Sequence, residues 1–105
     1  MVKSQVNNLK RNVKQCLTKY FMHIGYSEDE INYDRIFEIE TNDNNLSSYD
    51  EEKYTDIYVY SDEISLSDFF STLKKELDKV VSKFDPSAYF DAVKPGQYMA
   101  RVYWK

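Results

Sequence analysis

The period of the apolar residues changes three times along this chain, and those changes are the strongest constraint on its fold. Over residues 3–24, Val6, Leu9, Val13, Leu17, Tyr20 and Ile24 recur at steps of three and four, with Val2 ahead of them and Cys16 and Phe21 alongside. That is the stripe of an amphipathic helix. Residues 33–41 and 54–60 alternate with a period of two, as strands with one face on a core do. The helical period returns through Leu66, Phe69, Phe70, Leu73, Leu77, Val80, Val81 and Phe84. Alternation then resumes on both sides of Lys94-Pro95-Gly96-Gln97, a turn with proline and glycine at type II positions.

The expected fold is therefore a single α+β domain, a two-layer α/β sandwich in the order α-β-β-α-β-β. An antiparallel sheet carries both helices on one face, with the strand order left open. A short helix over 86–92 is the alternative to a strand there, since Pro86 suits a first helical position. Local signals support the boundaries. Gly25 suits a left-handed helix end with Tyr26 folding back, Ser27-Glu28-Asp29-Glu30 has capping-box form, and Ser65 or Ser67 is placed to cap the second long helix.

Charge is divided as sharply as hydropathy. Residues 28–68 hold 14 of the 18 acids against only Arg35 and Lys53, while residues 1–27 hold five Lys/Arg and no acid. Such a block repels itself, so its presence calls for a use. Within it, Thr55, Ile57 and Val59 alternate with Tyr54, Asp56, Tyr58 and Tyr60. The first strand, read over 33–41, sets Tyr33, Phe37 and Ile39 against Asp34, Ile36, Glu38 and Glu40. Paired antiparallel, the two strands are expected to gather Asp34, Glu38, Glu40, Asp56, Tyr54, Tyr58 and Tyr60 on one outer face. The loop 42–53 adds Asp50, Glu51 and Glu52 as further partner contacts. Its spacing fails as a calcium loop, because Ser48 and Tyr54 stand where the turn glycine and closing glutamate are required.

Other chemistries find little support. One cysteine and one histidine cannot build a zinc site. Cys16 and His23 lie seven residues apart, about 10 Å along a helix, too far for a nucleophile–base pair. Two glycines supply no phosphate-cradling loop. No enzymatic activity, metal or cofactor is expected. No apolar run approaches the ~20 residues that span a bilayer and the amino terminus lacks a signal-type stretch, so a cytoplasmic protein is expected.

Carboxylates on alternate strand residues lie about 6.6–6.8 Å apart, imitating the sign and regularity of a phosphate backbone, and tyrosines among them would serve as anchors. In length, acidic centre and small α/β pattern the chain resembles the small inhibitors carried by phages and mobile elements, including anti-CRISPR and anti-restriction DNA mimics. The resemblance is one of whole-chain texture and transfers no individual residue. It implies an inhibitor whose partner is a basic nucleic-acid-binding protein such as a host defence nuclease. Two rivals stand beside it. A structural or assembly protein would use the same face to form a homodimer or larger oligomer. A direct nucleic-acid binder would use the stripe Lys3, Asn7, Lys10 and Lys14 on the first helix, which the pI of 4.9 disfavours.

Overall fold

The computed structural model describes residues 2–42 and 53–104. Asp50, Glu51 and Glu52, expected as partner contacts, lie outside the described residues. Helix α1 spans Val2–His23. A 3-10 turn, Glu28–Glu30, and a short helix α2, Tyr33–Ile36, lead into strand β1, Phe37–Asn42. Strand β2 covers Lys53–Tyr60. A second helical run follows as α3 (Leu66–Asp68), a π-turn (Phe69–Leu73) and α4 (Lys74–Ser82). The chain closes with β3, Asp91–Lys94, and β4, Gln97–Trp104. The sheet order is β1-β2-β4-β3, all neighbours antiparallel. This is the expected α+β sandwich, two hairpins with a helix before each.

The inner face of the sheet follows from alternation. Ile57 and Val59 on β2 and Tyr98, Ala100, Val102 and Trp104 on β4 join one core with Leu9, Val13 and Leu17 of α1 and Leu77 and Val81 of α4. Every buried leucine or isoleucine side chain removed from water contributes about 1.5–3 kcal/mol, so this shared layer is what orders the helices. Polar atoms inside it are paired: Trp104 Nε1 donates to Thr55 Oγ1 at 2.7 Å, and the Tyr98 hydroxyl donates to the Ile64 carbonyl. Tyr98 also stacks on Phe69, ring centroids 4.1 Å apart. Among the described residues no buried side-chain polar atom lacks a partner.

The caps behave as their sequences require. Gly25 takes φ 110°, Tyr26 N returns to Phe21 O at 2.9 Å, and the two rings meet edge to face. The Glu30 carboxylate accepts from Ser27 N and Oγ at 2.8 and 2.9 Å, which holds its pKa below the ordinary carboxylate value. Ser65 Oγ accepts from Asp68 N. In the 94–97 turn Gly96 has φ 81°.

Four expectations need correction. Residues 33–36 form a helical turn, not strand, because Tyr33 is pinned to α1 by its hydroxyl contact with Thr18 Oγ1 and by Lys14 Nζ over its ring. Ile36 accordingly packs against the core instead of facing outward. Residues 86–90 are neither helix nor strand. Asp85 accepts from Ser87 N, Ser87 Oγ and Tyr103 N, tying the end of the helix to β4, and only from Asp91 does the chain pair. The alternation nonetheless holds there, with Phe90 buried and Tyr89 outside. The π-turn inserts an extra residue per turn into the second helical run. Phe69 and Leu73 stay buried, but Phe70 and Leu66, expected in the stripe, are 54% and 38% exposed. Ile24 lies just past the last turn of α1 and is also exposed.

Lys74 on α4 is half-buried. Its ammonium donates to Asp78 Oδ2 at 2.8 Å and to the Phe90 carbonyl at 2.7 Å, while Asp78 Oδ1 accepts from Phe90 N. The pair thus holds the chain entering β3 against α4.

Two tests follow from this packing. A Cβ at position 96 would meet the Ser61 carbonyl at 3.2 Å and would sit in a left-handed conformation, so Gly96→Ala should lower stability by about 1–2 kcal/mol in urea unfolding. The Tyr20 hydroxyl, which donates to Asp68 Oδ2, is pushed up from 10 to about 12, first by burial and then by that carboxylate. Folding therefore favours the protonated phenol. This contribution is complete below pH 10 and is lost as pH rises towards 12. Tyr20→Phe should flatten the fall of the melting temperature across that window.

Candidate protein-interaction face

The outer face of the sheet, opposite the helices, is read directly from the strand register. Glu40, Asp56 and Arg101 form one row across β1, β2 and β4, and Glu38, Tyr58, Met99 and Asp91 form the next across all four strands. Tyr54 pairs with Tyr103 at one end and Tyr60 with Gln97 at the other. The structure thus brings Glu38, Glu40, Tyr54, Asp56, Tyr58 and Tyr60 onto one surface. Asp34 is exposed on α2, and strand alternation does not carry it onto that surface.

Asp56 departs from its expected role. It is only 6% exposed and accepts two hydrogen bonds from Arg101, Nε to Oδ1 at 2.7 Å and Nη2 to Oδ2 at 3.0 Å. The guanidinium also lies 3.8 Å from the Tyr54 ring centroid, and Tyr54 meets Tyr103 edge to face. A carboxylate held in this way does not greet a visitor. It answers to the chain's own arginine. The reason is positional: Glu40 faces Asp56 across the β1–β2 ladder, and like charges directly opposite destabilise a sheet. Arg101 on the far side offsets that repulsion, and the two hydrogen bonds it donates to Asp56 push the arginine's pKa further upward.

The acidic residues that remain outward on the described face are Glu38 and Glu40 on edge strand β1 and Asp91 on the opposite edge strand β3, all exposed. Beside the β1 pair the Tyr58 and Tyr60 rings stack, centroids 6.0 Å apart and nearly parallel, and the Tyr58 hydroxyl leans towards Asp56 Oδ2. Burial, then the Asp56 and Glu40 charges, raise the Tyr58 pKa. The face therefore has an acidic margin, a tyrosine pair, and a neutralised aromatic–arginine centre.

Arg101, Tyr103, Met99 and Asp91 were not singled out from sequence as parts of this site. The alternation of Met99, Arg101 and Tyr103 was visible, but only the β2–β4 pairing sets them beside the acidic strands.

The helical side carries a separate cleft of about 220 Å³ bordered by Cys16, Lys19, His23 and Glu76 among others. Burial and the Glu76 charge push the Cys16 thiol up, and its sulfur points to the Glu76 carbonyl, the reverse of thiol activation. Lys10 and Lys14 of the basic stripe are exposed, the latter over Tyr33. Among the described residues no three His, Cys, Asp or Glu side chains converge as metal ligands, and no helix is long and apolar enough to cross a membrane.

No family model, curated protein or solved structure matches this chain.

Removing Arg101 takes the ion pair from Asp56 and leaves it opposite Glu40 with only the Tyr58 hydroxyl, at 3.4 Å, as a donor in the face. Arg101→Ala should therefore destabilise the fold by about 2 kcal/mol, below the usual buried-pair loss because the arginine side chain is 40% exposed. Asp56→Asn in the same chain should restore part of that loss, measured by urea unfolding of the two single variants and the double variant.

Proposed function

We propose that this protein is a cytoplasmic binding protein and an inhibitor, not an enzyme, which docks its open sheet face on the basic nucleic-acid cleft of another protein, of the host-nuclease kind. The observation that carries the reading is the exposed pair Glu38 and Glu40 beside the stacked Tyr58 and Tyr60, on the face no helix covers. Carboxylates at strand spacing attract a basic cleft over roughly a Debye length, about 8 Å in physiological salt. Exposed ion pairs contribute only ~1 kcal/mol or less each, so the tyrosines must provide the anchoring area.

Asp56 is excluded from this role, and so is a uniformly acidic surface. The docking chemistry is a negative margin with an aromatic centre. Arg101 and Tyr54 already show, within the chain, how a guanidinium settles on one of these rings.

The test is a complex with a basic nucleic-acid-binding protein that forms at low salt, weakens at high salt, and is displaced by DNA or RNA. Glu38→Lys with Glu40→Lys should weaken it by about tenfold or more without changing the melting temperature appreciably. Undiminished binding by that variant, or a concentration-dependent oligomer that buries the same face with no such partner, would contradict the proposal.

A further inference from the structure

Strand β3 leaves β4 early. Their pairing reaches only Asp91 opposite Met99, whereas β4 continues to Trp104. Between the end of that pairing and the segment 85–91 lies a hollow of about 280 Å³, with Tyr89, Asp91, Arg101 and Tyr103 on its walls. Tyr103 N donates across the gap to Asp85 Oδ2 at 3.1 Å, so the main chain of Tyr103 points to the β3 side. Backbone direction on a strand repeats every second residue. The N–H and carbonyl of Arg101 therefore point into the same gap, and among the described residues no main-chain hydrogen bond reaches them from residues 86–90.

We propose that this hollow receives the guanidinium of an arginine from a basic protein partner. Tyr89, 60% exposed, brings an aromatic ring to its wall and Tyr103 lines it from β4; the Arg101 carbonyl and the Asp91 carboxylate are the acceptors there. One Asp91 oxygen accepts from Ala92 N, and the other remains for an incoming donor. The nearby cations do not occupy the place. The Arg101 side chain leans the other way, over β2, where Asp56 neutralises it. Lys74 Nζ, 5.2 Å from the Tyr89 ring centroid, is held by Asp78 and the Phe90 carbonyl. A planar cation with several N–H donors matches rings plus a carbonyl and a carboxylate better than a compact ammonium does.

The assignment rests on the reading that the open face meets a basic protein, and its test is independent of that protein. N-acetyl-arginine amide titrated into the 15N-labelled chain should shift the amides of Tyr89, Asp91, Arg101 and Tyr103 saturably, with N-acetyl-lysine amide weaker. Asp91→Asn and Tyr89→Leu, both at exposed positions, should each weaken the titration by about fivefold while leaving the remaining spectrum in place. Shifts that do not saturate, that spread evenly over the surface, or that survive both substitutions overturn the hollow as an arginine site. Such a failure leaves docking through Glu38 and Glu40 standing. Conversely, a partner indifferent to the Glu38→Lys and Glu40→Lys changes would remove that docking mode without touching the arginine titration.

Discussion

The pairing of β2 with β4 is the contact on which the rest of the molecule depends. It joins two hairpins that are each local in sequence, over a register running from Lys53 opposite Trp104 to Tyr60 opposite Gln97. Without it neither hairpin has a second neighbour, and a lone two-stranded hairpin is marginal in water. With it, Ile57, Val59, Tyr98, Ala100 and Val102 form one continuous apolar surface for the two long helical runs to cover. Because strand alternation is strict, the same register dictates which side chains share the opposite face. Fold and candidate site are therefore set by a single long-range choice.

That choice also settles how the acidic block is tolerated. Asp56 lies in a central strand, between Glu40 on one side and Arg101 on the other. Its charge is offset inside the chain, and the same guanidinium lies over the Tyr54 ring. On β1, Glu38 and Glu40 keep their negative charge towards water, where exposed edge carboxylates also discourage edge-to-edge pairing of sheets. The result is a zoned surface with distinct jobs for chemically similar residues. Glu40 and Asp56 face each other, yet one addresses solvent and the other addresses Arg101.

Much of this was legible from residue order. Residue order gave both long helical runs, the β2 alternation Thr55-Ile57-Val59 against Tyr54-Asp56-Tyr58-Tyr60, the Gly25 helix end, a cap at Ser65 or Ser67 (Ser65 in the fold) and the Pro95-Gly96 turn, because each rests on local geometry. What escaped rests on tertiary contact. Tyr33 and Ile36 fit a strand pattern until Thr18 and Lys14 of α1 draw Tyr33 into a helical turn. Phe70 fits the helical stripe until the π-turn shifts the phase. Asp56 looks like any outward carboxylate until the unknowable strand order places Arg101 next to it. Glu38, Glu40, Tyr58 and Tyr60 were found because alternation alone locates them. Arg101 and Tyr103 were missed because nothing in the sequence names their neighbour strand.

The proposed docking of a basic partner on the open sheet face is tested most directly by mapping which carboxylates such a partner covers. Carbodiimide labelling of carboxylates, read by mass spectrometry in the free protein and in its complex with a nucleic-acid-binding protein, locates that contact without any substitution. Glu38 and Glu40 should react readily in the free chain and become protected in the complex, while Glu28 and Glu76, away from the sheet face, keep their reactivity. If Glu38 and Glu40 stay equally reactive in the complex and the protected carboxylates lie on the helical side, the open sheet face is not the docking surface.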